Sequence, residues 1–135
     1  MSGETIVIDP VGMNIVNRVA PGTVLEGDTT WSGGLLVQGT IKGNIKIAGG
    51  PLVLMDGAVI AGKVTCLSDV YLFGKIEPPG EGQLSEVSCT GSAFLAETLV
   101  AEADLNAAGW KLFNGAQVNG RFKTLNASEL KQLAA

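Results

Sequence analysis

Leu35-Leu36-Val37-Gln38-Gly39-Thr40-Ile41-Lys42-Gly43-Asn44-Ile45-Lys46-Ile47 is the stretch that decides the fold. From Leu35 onward every second position is apolar or glycine: Leu35, Val37, Gly39, Ile41, Gly43, Ile45, Ile47. A period of two puts those positions on one side of a strand. The alternation returns as Leu52, Leu54, then Ala58, Ile60, Gly62, Val64, Cys66, and again as Trp110, Leu112, then Ala116, Val118, Gly120, Phe122. Pairs such as Asp56-Gly57 and Asn114-Gly115 punctuate these runs, as turns require. Helical spacing is nearly absent before residue 124.

A longer period lies over the alternation. One expected inward column reads Val37, Leu54, Leu72, Phe94, Leu112, with gaps of 17, 18, 22 and 18. A second, Leu35, Leu52, Val70, Ser92, Trp110, has the same gaps. A third, Ile47, Val64, Val87, Leu105, Phe122, has gaps of 17, 23, 18 and 17. Every long gap encloses Glu77-Pro78-Pro79-Gly80-Glu81-Gly82, so one loop insertion of about five residues explains all three. A repeat of 17–18 residues is too short for a helix-containing repeat. It fits one coil of a β-helix, whose inner face is buried only when coils stack. Glycine suits the corners, where φ > 0 is needed, and Gly22-Thr23-Val24-Leu25-Glu26-Gly27 recurs as Gly57–Gly62 and Gly115–Gly120.

The expected fold is therefore all-β: a single-domain parallel β-helix (β-solenoid) over residues 15–124, of roughly five to six coils, with a loop insertion near 77–83. Parallel crossovers favour the right hand, and the uneven corners argue against left-handed hexapeptide coils. Residues 1–14 read as an N-terminal tail. Residues 125–135 read as a short C-terminal tail or helical turn, with Asn126 or Ser128 as N-cap.

Composition narrows the function. The chain has 135 residues, enough for one domain, with 46% apolar, 16% charged and 19 glycines. That excludes a disordered chain, and the glycines have no triplet period for collagen. The net charge of −4 argues against a nucleic-acid partner. There is no histidine, which removes His-ligated metal sites and Ser-His-Asp relays. It also removes the acyltransferases and γ-type carbonic anhydrases of the left-handed hexapeptide class, leaving only a non-catalytic relative. Two cysteines, no basic n-region and no long apolar run point to a reducing, cytoplasmic setting.

The string Leu35–Ile45, the Gly-Ala-x-Val-x-Gly type blocks and the closing Gly115-Ala116-Gln117-Val118-Asn119-Gly120-Arg121-Phe122 resemble the bactofilins over roughly residues 15–124. The resemblance implies a bacterial cytoskeletal protein, not an enzyme and without cofactor. Its right-handed β-helix would polymerise end to end without nucleotide and scaffold cell-shape or cell-wall machinery, often at the membrane. It also implies a subunit contact at the aromatic residue that ends the last coil, here Phe122. Coil one, residues 15–31, keeps the pattern weakly, and the Glu77–Gly82 insertion departs from it. Physics points the same way, because the ends of a β-helix carry unpaired N–H and C=O groups. The candidate polymer interface is Val118, Phe122 and Leu125 at one end, with Ile15, Val16 and Leu25 at the other. Partners would be further copies of itself, the membrane or cell-wall enzymes. The candidate membrane contact is Ile6-Val7-Ile8, although Glu4 and Asp9 flank it and an anionic leaflet would not attract them.

Several motifs have plainer readings. Gly57-Ala58-Val59-Ile60-Ala61-Gly62-Lys63-Val64 nearly spells a P-loop, but Val64 stands where a hydroxyl must bind Mg²⁺. The same glycine spacing recurs at Gly22 and Gly115 with different following residues, so it belongs to the coil. Cys66 and Cys89, 23 apart, read as two stacked buried thiols rather than a redox or metal site. Scattered carboxylates read as solvated surface, and Trp31 and Trp110 as parts of core or corner. The competing function is a monomeric β-solenoid used as a binding scaffold.

Overall fold

A computed structural model describes residues 8–134. Short strands wind into six three-sided rungs. Rung one holds β1 (Ile15–Val19), β2 (Val24–Glu26) and β3 (Thr29–Ser32), and rung two β4 (Gly34–Val37), β5 (Thr40–Lys42) and β6 (Ile45–Ala48). Rung three holds β7 (Leu52–Leu54), β8 (Val59–Ala61) and β9 (Lys63–Cys66), and rung four β10 (Val70–Leu72), β11 (Lys75–Glu77) and β12 (Ser85–Cys89). Rung five holds β13 (Ser92–Leu95) and the long β14 (Val100–Ala107); rung six holds β15 (Gly109–Leu112), β16 (Gln117–Asn119) and β17 (Phe122–Thr124).

All pairing is parallel, between equivalent strands of successive rungs. Face A is β1-β4-β7-β10-β13-β15. Face B runs β2-β5-β8-β11-β14-β16 and face C β3-β6-β9-β12-β14-β17. β14 serves both because it turns from B to C without a break. The result is a parallel β-solenoid, all-β but for one short helix.

The core is a set of ladders down the axis. Face B contributes Leu25, Ile41, Ile60, Ile76, Ala101 and Val118 in register. Inward side chains of rungs two to five are almost fully buried, each large one worth roughly 1.5–3 kcal/mol of transfer free energy.

The register corrects three members of the expected columns. On face A, Leu72 pairs with Leu95, and Val70 with Ala93. Phe94 and Ser92 are therefore not inward residues; Phe94 points outward and stacks on Tyr71 with ring centroids 4.5 Å apart. On face C, Ile45 rather than Ile47 lies over Val64, while Ile47 meets Cys66. With these changes each A and C column crosses the insertion with a gap of 23, as from Leu72 to Leu95 and Val64 to Val87.

The B-to-C corner shows how the coil closes. Gly43 and Gly62 both have φ +139°, and a Cβ on either would lie 2.2 Å from the carbonyl oxygen of the glycine one rung earlier, Gly27 or Gly43. Rung four replaces this glycine with residues 78–84, and Ser85 closes the neck of that loop. Its hydroxyl accepts the Gly62 N–H at 2.9 Å and donates to the Glu77 carbonyl at 2.5 Å.

The described residues on either flank carry local structure of their own. Before β1 a tight turn ends at Asn14, at φ 57°, whose carbonyl accepts the Gly34 N–H and whose amide donates to the Gly49 carbonyl, at 2.7 and 2.8 Å. After β17 comes helix α1 (Ala127–Ala134), which buries none of its residues.

Candidate assembly surfaces at the two ends

The solenoid brings the sequence-selected residues to opposite ends. Val118, Phe122 and Leu125 lie on or just after rung six, and Ile15, Val16 and Leu25 on rung one. In each end rung all three strands pair on one side only, so no described strand meets their outer edges. The end rungs are also where the core becomes wet. Leu25 and Val118 are half-buried against it, and Ile15 is half-buried at the start of β1. Val16 is 67% exposed at a register shift in β1.

Phe122 is 45% exposed and tilts against Trp110 with centroids 5.0 Å apart. It continues the inward ladder above Leu105, yet α1 does not seal it. Leu125 donates its N–H to the Ala107 carbonyl at 2.8 Å and is half-buried.

Sequence reasoning missed other members of these surfaces. Leu112, beside Phe122 in rung six, is 61% exposed, and Val24 in rung one is exposed too. The two tryptophans stand one at each end, Trp31 in rung one and Trp110 in rung six, both half-buried against the core. Each indole N–H is satisfied within its own rung, Trp31 by Thr29 Oγ1 at 3.0 Å and Trp110 by Thr124 Oγ1 at 2.9 Å. A large flat ring with its polar edge satisfied presents apolar faces for packing. Their positions first and last in the ladders were the available signal.

The ends differ in charge. Residues 108–124 carry Lys111, Arg121 and Lys123 with no carboxylate, whereas residues 15–33 carry Arg18, Glu26 and Asp28. Lys123 also pairs with Glu129 of α1.

Elsewhere the chemistry is structural. Cys66 and Cys89 pair in register and are free and fully buried. Burial pushes their thiols up to about 11 and about 12, each far from a reactive thiolate at neutral pH. Asp28, Asp69 and Asp104 each accept a backbone N–H from the next rung, of Asn44, Ser92 and Arg121, at 3.1, 2.8 and 3.0 Å. Among the described residues no three His, Cys, Asp or Glu side chains gather as metal ligands. The P-loop look-alike is β8, its glycine corner and β9. Of the candidate membrane contact, Ile6 and Val7 lie outside the described residues, and Ile8 is half-buried. No helix among the described residues is long and apolar enough to cross a membrane.

Comparison with protein families matches residues 17–123 to the family described as "Bactofilin: Polymer-forming cytoskeletal". No curated protein and no solved structure matches the chain.

Proposed function

Because this chain belongs to the bactofilin family, a family of polymer-forming cytoskeletal proteins, we propose that it assembles by stacking its solenoids end on end, without nucleotide. The observation that carries the reading is the pair of open ends. Each offers three strand edges that no described strand pairs, around half-buried apolar side chains, a surface that another end can continue. The subunit contact is formed by Val118, Phe122 and Leu125 at one end and by Ile15, Val16 and Leu25 at the other. Nucleotide independence is supported by the strand–corner–strand setting of the P-loop look-alike, which lacks the helix N-terminus that cradles phosphate. In the cell the filament acts as a scaffold for shape or cell-wall machinery, in the cytoplasm and, where Ile6-Val7-Ile8 engages lipid, at the membrane.

The test is Phe122→Arg. Phe122 is partly exposed in the single chain, so the variant keeps its fold and its circular dichroism. In the contact the guanidinium is desolvated without a partner, at a cost of several kcal/mol. Negative-stain microscopy and sedimentation should show filaments for the parent protein without nucleotide, and monomers or short oligomers for the variant. Unchanged assembly of a folded Phe122→Arg protein would remove Phe122 from the contact.

A further inference from the structure

The chain leaves rung six at the corner where a further coil would begin. Between rungs five and six that corner is short: β14 ends at Ala107, and face A opens at Gly109, two residues on. Thr124 pairs with Ala107 in register, so the same step from Thr124 arrives at Asn126. Leu125 still follows the coil, donating its N–H to the Ala107 carbonyl. At Asn126 the path changes. Where a strand would extend face A past β15, Asn126 caps helix α1, and Lys123 of β17 pairs with Glu129 in the first turn.

The helix is held lightly. Eight residues are marginal for an isolated helix. None of them is buried; Glu129, Leu130 and Leu133 are half-buried and the other five are exposed. The cap and the ion pair meet at one residue, Glu129, whose N–H goes to the Asn126 side chain and whose carboxylate takes the Asn126 N–H and the Lys123 ammonium. A helix packed firmly over the last rung would seal a solenoid for good. One that buries nothing seals it reversibly.

We infer that α1 is a displaceable stop: it stands in the place of the next face A strand and holds back end-on stacking until it unwinds. The inference rests on the stacking reading above and adds its regulation. A copy that continues all three ladders must lay a strand against β15, at the corner from which α1 springs. Meanwhile Phe122 stays 45% exposed beside Trp110, so the apolar part of rung six is open to a first encounter. Wall A closes only in the molecules whose helix has given way. The apparent affinity between copies is then the intrinsic one reduced by the unwound fraction.

The test measures, by sedimentation without nucleotide, the concentration at which half the protein is assembled. A chain ending at Asn126, and separately the full chain with Asn126→Ala, should reach it about fivefold below the parent, the factor by which loss of one N-cap shifts a helix equilibrium. Ser128→Glu with Gln132→Lys adds an i, i+4 ion pair at two exposed positions and should raise it about twofold. Amides of α1 should exchange faster in the filament than in the monomer. Equal half-assembly concentrations for parent and variants, with global urea midpoints unchanged, overturn the stop and leave stacking standing. Lost assembly of the shortened chain, or α1 amides better protected in the filament, also overturns it, by making α1 part of the contact. If neither the parent nor the shortened chain assembles at high concentration, stacking itself fails and the stop falls with it.

Discussion

Gly43 occupies a backbone position that no other residue fills without strain. Its φ is +139°, and an added Cβ would lie 2.2 Å from the Gly27 carbonyl oxygen, a backbone atom held in the rung before. Gly43→Ala should therefore cost about 2–4 kcal/mol, read as a fall in the urea midpoint. Gly57→Ala meets no neighbour and pays only the left-handed φ of +88°, about 1–2 kcal/mol. Similar losses for the two would contradict the stacked-corner account. The buried thiols give a second residue-scale expectation. Cys66 and Cys89 titrate from an ordinary 9.0 up to about 11 and about 12, because burial disfavours the thiolate. A folded-state pKa above the unfolded one gives a contribution that is complete below pH 9 and lost as pH rises through 11 to 12. The parent should thus lose more stability across that window than a Cys66→Ala, Cys89→Ala protein. Parallel pH profiles would contradict it.

At the scale of elements, the alternation fixed the strands but not always which side faces in. β7, β10 and β13 are apolar on both sides, as in Leu52-Val53-Leu54, Val70-Tyr71-Leu72 and Ala93-Phe94-Leu95. A period-two pattern loses its phase where outward positions are apolar as well, so Phe94 was read as inward and the column slipped by one. The Cys66–Cys89 pairing, flanked by β9 and β12 strands with polar outer sides, was legible at once. The exposed end residues were harder, because exposure depends on which rung is last. Helix α1 was legible from its cap alone. Asn126 Oδ1 accepts the Glu129 N–H at 2.9 Å, and Glu129 Oε1 accepts the Asn126 N–H at 3.2 Å. An eight-residue helix that buries nothing depends on this cap. Asn126→Ala should cost ~1 kcal/mol locally, abolishing amide-exchange protection in α1 while the global midpoint stays put. The bond from Lys123 also holds the Glu129 carboxyl below its usual range. Its support is complete above the ordinary carboxylate pKa and is lost as pH falls through the lowered one. Acid should therefore loosen α1 before the walls, and protection in α1 unaffected by Asn126→Ala would contradict the cap's role.

The described strands form a prism of three walls, with no described strand beyond rung one or rung six. Its strands lie across the axis, so stacking further copies along that axis extends every ladder without a new kind of contact. The small inward Ala93 of rung five lies beneath Trp110, and Phe122 lies over Leu105 beside it, so the last rung carries aromatic surface to the rim. The most direct measurement is the axial repeat of the purified filament, by cryo-electron microscopy or fibre diffraction without nucleotide. Six rungs at ~4.8 Å give ~29 Å per subunit and a ~4.8 Å spacing along the filament axis. A filament with that spacing across its axis, or a chain that stays monomeric at high concentration, would contradict the account.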